Sequence, residues 1–512
     1  MGILDLFRRA PEQARQRIEP APPSPPSPQR PARAWLAAAP SRLLADLPGS
    51  SGPAPNKDIR VSLATLRNRS RWLSQNDGYS KGFLRTLRRN VIGANGIGLQ
   101  MRVPDDRDPK KQDEGANQRI ENAWAEWAAI GSCDITGRLS WIDLQGLVLT
   151  HVVRDGEALI RKIRTGKYNR HGFVLQVVDP VRLDEKLNLP AGSYGPYALP
   201  RGNSIRMGVE LDPFNRPVAY HLLTTLPGDD VWQAAGRMWQ RVAAAEMLHV
   251  FVTDWTDQVR GVPWLDTAIR PLAMLDGYSE AELVAARVSA NKMGFYKLAD
   301  NANRDDVPQE LIEDARLVQE SEAGTFEMLP PGVDFESFDP QHPNSAFKDF
   351  TGAILRKMSA GAGISYNAFA NDPEGLNYSA LRATALDDRD EYRTIQRWFI
   401  GAVCLQVFPE WLRETLLTGI TGLPASKFGK FNAPAFVGRG WQWVDPQNEV
   451  AAARDAVALG IRSRTQIAAE QGVEIADIAA DLRAEQDLLA GILPPAPASA
   501  PPPAQGKPAN AA

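Results

Sequence analysis

Residues Pro343–Tyr392 read PNSAFKDFTGAILRKMSAGAGISYNAFANDPEGLNYSALRATALDDRDEY. Phe347, Phe350, Ile354, Leu355 and Met358 keep the spacing of a helix with one buried stripe. Gly361–Ala362–Gly363 breaks that pattern, and a short apolar cluster follows at Ile364, Tyr366 and Phe369. Asn371, Asp372, Pro373, Glu374, Gly375, Leu376 and Asn377 are then dense in turn formers and carry no period. A second helical pattern, full of charge, starts at Tyr378 and continues through Ile395, Trp398, Phe399 and Val403. The expectation is an exposed loop between two helices, with residues 371–377 as the candidate functional site.

On the N-terminal side, Leu265, Ala268, Ile269, Leu272, Leu275, Leu283 and Ala286 predict a long amphipathic helix. Pro263 suits a first turn, and Pro271 predicts a kink or a restart. Residues 172–252 alternate or run β-branched between Gly, Pro and Asp/Asn turns, which predicts strands and hairpins. Ser140 is positioned to cap a helix over Trp141–Val153, leading into a strand Ala158–Ile163. Further upstream, Leu63, Leu66, Leu73, Phe83, Leu84 and Leu87 set an apolar stripe among seven arginines between Arg60 and Arg89. That charge reads as a solvated basic face or as partners for acidic neighbours. Residues from about Pro11 to Asn56, and from Leu493 onward, are rich in Pro, Ala and Ser, too apolar-poor to offset the entropy of ordering, and read as disordered.

A formal net charge of -3 excludes a strong global basic field that would draw the whole chain to nucleic acid. Two cysteines, Cys133 and Cys404, cannot make a disulfide framework. No apolar run reaches the roughly 18 residues of a membrane span. The search for chemistry finds little. Gly78–Tyr79–Ser80–Lys81–Gly82 fits a nucleophile elbow, but that geometry needs a strand before Ser80, and both flanks look helical. Gly93, Gly96 and Gly98 do not have dinucleotide-loop spacing, and Gly429–Lys430 is followed by Phe431, not by Ser or Thr. His151 lies on a predicted helix with no second ligand type at metal spacing and reads as a packed or surface histidine, while His221 and His249 sit in strand-like apolar contexts and read as structural histidines. No catalytic residue, metal or cofactor is assigned; a serine hydrolase using Ser80 is the enzymatic alternative.

Taken in order, several segments resemble the portal proteins of tailed bacteriophages, of the lambda type. They include LRNRSRWLSQNDGYSKGFLRTLRRNVIGANGIGLQ (66–100), CDITGRLSWIDLQ (133–145), LQVVDPVRLD (175–184), GVELDPFNRPVAYHL (208–222), HVFVTDWTDQVRGVPWLDTAIRPL (249–272), the opening stretch, and WQWVDPQNEVAAARDAVALGI (441–461). The resemblance covers about residues 58–465. One departure is Asn377–Tyr378–Ser379–Ala380, where the family's familiar form has a second serine.

The resemblance implies an α+β portal fold with wing, stem, clip and crown regions, assembled as a dodecameric ring at one capsid vertex. It implies passage of double-stranded DNA, docking of the large terminase, contacts with major capsid and scaffold proteins, and later head-completion, adaptor and tail proteins. The location would be the virion, with host cytoplasm during assembly. The expected division is 1–57 disordered, 58–171 wing, 172–252 including the clip, 253–300 stem, 301–445 wing with the tunnel loop, 446–490 crown and 491–512 tail. Asn371–Asn377 would be the tunnel loop lining the channel. Another oligomeric head or baseplate component is the structural alternative. Electrostatics suits the channel reading: each Lys or Arg on a phosphate adds affinity through counterion release, so a conduit should be neutral or acidic. The loop offers Asp372 and Glu374 and no basic residue.

Overall fold

A computed structural model describes residues 52, 54–193, 199–200, 202–229, 238–290, 294–298, 333–337, 347–375, 377–441 and 446–471, with scattered positions to 486. All the helices and strands named in this section belong to the compact unit Pro55–Ala512. Nearly all of the Pro-rich leader, the segment 301–332 and the tail 491–512 lie outside the described residues.

Helix α1 (Pro55–Asn76) starts on a proline, whose fixed φ and missing N–H suit a first turn. It begins inside the stretch read as disordered, because the Asn56 side chain accepts from the Val259 N–H at 3.0 Å and donates to the Asp257 carbonyl at 2.7 Å. Its buried positions are Ile59, Leu63, Arg67, Ser70 and Leu73, a stripe of three-and-four spacing that contains one arginine. Asp77 caps α2 (Gly78–Leu87), and the chain leaves through a π turn to Gly93 at φ +77°. Strand β1 (Gly98–Met101) pairs antiparallel with the distant β11 (Pro434–Val437). Helix α3 (Glu114–Ala128) is capped by Asp113. Helix α4 (Trp141–Asp155) opens on a capping box between Ser140 and Asp143, as the sequence predicts, and ends at Gly156 with φ +89°. A Cβ at Gly156 would lie 2.5 Å from the Val262 backbone, so only glycine fits this turn.

Strand β2 (Glu157–Arg164) is the centre of a three-stranded antiparallel sheet, flanked by β3 (Phe173–Val178) and β8 (Met247–Phe251). Between those two partners the chain builds a second sheet of four strands, β4 (Ser204–Arg206), β5 (Val209–Leu211), β6 (Pro217–Leu223) and β7 (Trp239–Ala243). The strand-rich character expected for 172–252 is present, divided between two sheets. Helix α5 (Ile269–Ala290) starts only at Ile269, so Pro271 falls in its first turn and marks a restart, not a kink. A two-stranded ladder of β9 (Gly294–Leu298) and β10 (Val333–Ser337) follows, then α6 (Phe347–Ala362), α7 (Tyr366–Ala370) and α8 (Tyr378–Phe399). A π turn joins α8 to α9 (Leu405–Leu417); α10 (Phe428–Phe431), β11, α11 (Pro446–Ala458) and α12 (Arg464–Glu470) complete the order.

The main core is an aromatic cluster in which Trp124 meets Trp127, Trp141, Phe408, Trp411 and Phe436 at ring-centroid distances of 4.8–6.1 Å. Trp127 is fully buried, and its indole N–H donates to the Phe173 carbonyl at 2.8 Å, tying α3 to β3. Replacing Trp127 by Ala should cost about 3–5 kcal/mol, since a large cavity remains, while the Phe173 carbonyl keeps its bond from the Asn169 side chain at 2.8 Å. Urea denaturation would read this as a midpoint shift at unchanged slope, and an unshifted midpoint would contradict the cluster's role. A second core, with Leu63, Leu159, Leu183, Met207, Leu211 and Tyr220, lies under the four-stranded sheet.

Candidate functional site

The loop after α7 forms where the sequence expects it. Asn371 ends α7 in the left-handed region at φ +52°, and Asn377 caps α8 by accepting from the Ala380 N–H at 2.8 Å. Residues 371, 373–375 and 377 are exposed and Asp372 is half-buried; Leu376 lies outside the described residues. The Asp372 carboxylate accepts from the Glu374 N–H at 3.0 Å and from the Tyr366 hydroxyl at 2.9 Å, and these bonds hold its pKa below the usual range. Asp372 therefore stays ionised and shapes the turn. The Arg356 guanidinium sits 4.9 Å from the Tyr366 ring centre, supporting the same tyrosine from α6. A further tether joins α7 to α8, where Asp388 accepts from the Ser365 N–H and hydroxyl at 2.7 and 2.6 Å.

One partner was invisible in the local pattern. Lys348, at the start of α6, lies 2.7 Å from the Glu374 carboxylate, with both side chains about two-thirds exposed, at 71% and 68%. The loop has no basic residue of its own, yet α6 delivers one to it. Its acidic character rests mainly on Asp372, with Glu374 in a solvent-screened pair.

Elsewhere in the body lies an ion cluster that the sequence did not announce. The fully buried Glu157 lies 2.9 Å from the Arg67 guanidinium, 2.9 Å from Arg260 Nε and 2.9 Å from His249 Nε2, and accepts from the Gly261 N–H at 3.1 Å. Arg260 also donates to the carbonyls of Leu183 and Met207 at 3.0 and 2.8 Å, so one side chain clamps the strand β2 to the loops around the second sheet. Burial alone would raise the Glu157 pKa; the charge of Arg260 and the contact from His249 outweigh it and hold the carboxyl well below its ordinary range. Next to it, Asp155 meets Arg71 at 2.6 Å, Arg154 at 2.9 Å and His151 at 2.7 Å. The arginine group of 60–89 thus divides: Arg67 and Arg71 enter this cluster, while Arg60, Arg69, Arg85, Arg88 and Arg89 stay exposed.

All three histidines weighed as ligands have carboxylate partners, His151 with Asp155, His221 with Glu210 at 3.2 Å, and His249 with Glu157. Among the described residues no group of three or more metal-binding side chains occurs. Ser80 lies within helix α2, wholly buried, so the strand-before-serine geometry of an elbow is not formed. Burial pushes the Cys133 thiol up to about 12, helped by Asp134.

Burial lowers the pKa of His249, His221 and His171 below 6.5, against the opposing pull of their carboxylates. A histidine with a depressed folded pKa is neutral in the fold and takes up a proton more readily when unfolded. Stability is therefore full above about pH 6.5 and declines as the pH falls from there toward the folded value. Urea midpoints should drop between pH 7.5 and pH 5.5, and His249→Gln should flatten that slope. An identical midpoint at both values would rule the histidines out as the cause.

These features define a mixed α+β protein, with a turn-rich acidic loop presented by packed helices and a body cross-braced by buried charge. Residues 42–396 match the family described as phage portal protein, lambda family, and the chain belongs to that family. A relative named as a probable portal protein of Halomonas phage phiHAP-1 is 34% identical over 484 residues, covering 93% of this chain and 91% of that protein. Portal protein B of Escherichia phage lambda is 21% identical over 425 residues, covering 75% and 76%. Among solved structures, the neck of a native gene transfer agent particle, computed with C12 symmetry, aligns at 11% identity and a TM-score of 0.41, covering 81% of this chain and 98% of that one.

Proposed function

We propose that this chain forms a ring at one capsid vertex through which double-stranded DNA is packaged and released, with Asn371–Asn377 facing the channel. The observation that carries the reading is the loop itself: exposed, braced at both ends by helix caps, and acidic at Asp372. Such a surface can touch a phosphate backbone without holding it, because it offers no unpaired cation for counterion release. The subunit acts as a structural conduit and leaves nucleotide hydrolysis to the large terminase. Capsid and scaffold proteins, then head-completion, adaptor and tail proteins, are its further partners, in the host cytoplasm during assembly and in the virion afterwards.

Within the subunit, α5 and α6 supply the stem. Tyr278 stacks on Phe347 and meets Phe350, each at 5.5 Å between ring centres, while Gly361 lies against Thr267, so the two helices run antiparallel. In the sequence the β9–β10 ladder falls between these two helices, with Gly294 opposite Ser337. We assign the terminase-facing clip to this ladder. The resemblance expects it within 172–252, but β5 is buried along its whole length and β6 along most of its own, which suits a body element better than a projecting one. Residues 58–171 and those around α8 and α9 form the wing, and the helices from 446 onward the crown.

Negative-stain images of the purified protein test the proposal. A ring with an axial hole is the expected result; monomers or open filaments under all assembly conditions would remove it.

A further inference from the structure

We propose a second binding site, remote in role from the DNA-facing loop, that takes an extended acidic segment of a partner protein at the open edge of β11. A cleft of about 720 Å³ lies there, lined by Arg102, Arg393, Arg439, Arg462, Phe436 and Val437 among others. These residues come from four separate places: the end of β1, helix α8, the exit of β11, and the turn before α12. Convergence of four guanidiniums on one cleft is costly unless something anionic is meant to enter.

Charge within the cleft is only half balanced. Arg393 pairs with Asp390 at 2.7 Å and Arg462 with Glu470 at 3.1 Å. Arg439 instead donates to the carbonyl of Arg89 and to the Asn90 side-chain oxygen, both uncharged, which aims it without neutralising it. The side chain of Arg102 is exposed and has no partner among the described residues. Among the described residues, two of the four positive charges therefore have no carboxylate partner.

The second observation selects the kind of anion. Strand β11 pairs with β1 on one side, and on its other side no strand pairs with it among the described residues. Phe436 and Val437 of that strand line the cleft together with the arginines. By the register with β1, Phe436 is the strand residue whose N–H faces the unpaired side, since Pro434 has none. An unpaired strand edge is satisfied by a polypeptide laid alongside it, through N–H and C=O groups that a nucleic acid lacks. Carboxylates on alternate residues of such a segment would reach the guanidinium forks, and the Arg393–Trp441 pair, 5.4 Å from cation to ring centre, gives a flat wall for its apolar side chains. A bare phosphate site would explain the arginines but not the strand edge.

The test is fluorescence anisotropy with the full-length assembled protein and a labelled peptide of about ten residues alternating Glu and Val. Saturable binding is expected, weakened by about tenfold or more in Arg102→Glu and again in Arg462→Glu. A peptide of the same charge with proline at every second position cannot build a ladder and should bind at least about tenfold more weakly. Equal binding by the proline peptide, or by either variant, overturns the proposal. So does displacement by a DNA duplex at the same concentration as unlabelled peptide, which would mark a phosphate site. A fall in the mass of the assembled protein on Arg102→Glu would overturn it too, by showing that the cleft joins copies of this chain.

Discussion

Glu157→Leu should destabilise the protein by about 3–5 kcal/mol, an effect matched only by the loss of the Trp127 side chain. Arg67 and Arg260 are 1% and 0% exposed and would be left buried, facing each other without their carboxylate. The leucine recovers some apolar area, but cannot accept the bonds from Arg67, Arg260, His249 and the Gly261 N–H. Asp390→Ala, which breaks the exposed pair with Arg393, provides the contrast and should change stability by less than about 1 kcal/mol. Urea denaturation at pH 7.5 reads both. If Glu157→Leu proves too unstable to purify, Glu157→Asp should still show a lowered midpoint, because the shorter chain cannot reach both guanidiniums. A midpoint equal to that of the unaltered protein in Glu157→Asp and Glu157→Leu alike would mean the cluster is energetically idle.

The double substitution Asp372→Lys with Glu374→Lys should slow DNA packaging by about tenfold or more at low salt while leaving assembly intact. In the proposed ring two reversals per subunit would be multiplied around the channel, and they would turn an acidic loop into one that binds phosphates. Lys348 strengthens the effect, since the loss of Glu374 frees its ammonium as well. Higher salt should restore much of the rate, because screening weakens each new phosphate contact. The neutral pair Asp372→Asn with Glu374→Gln keeps most of the turn geometry and should have a much smaller effect. Packaging at the original rate in the lysine variant at low salt would argue that the loop does not face DNA.

Much of the local structure was legible without coordinates. The helix–loop–helix of 343–392, the Asn377 and Ser140 caps, the strand after Gly156 and the restart at Pro271 all follow from interactions between residues a few positions apart. The burial of His221 and His249 was legible too, from their strand-like apolar contexts. Arg67 was not. In the sequence it is one of seven arginines, and only its place on the α1 stripe with Ile59, Leu63 and Leu73 hinted that it points inward. Combining that phase with the demand that a buried charge be paired would have called for a carboxylate, but not for Glu157 in particular.

What the sequence determined by itself is therefore the set of elements, their capped ends, the exposed turn at 371–377, and, through an ordered run of motifs, the portal family. Tertiary structure alone decided which charges meet. It brought Lys348 to Glu374, set Arg67 and Arg260 on either side of Glu157, and paired β1 with β11 across more than three hundred residues. The physical reason is range. Periodicity and capping are written within one or two helical turns, whereas a buried ion pair or a strand edge depends on chain segments brought together by the packing of everything between them.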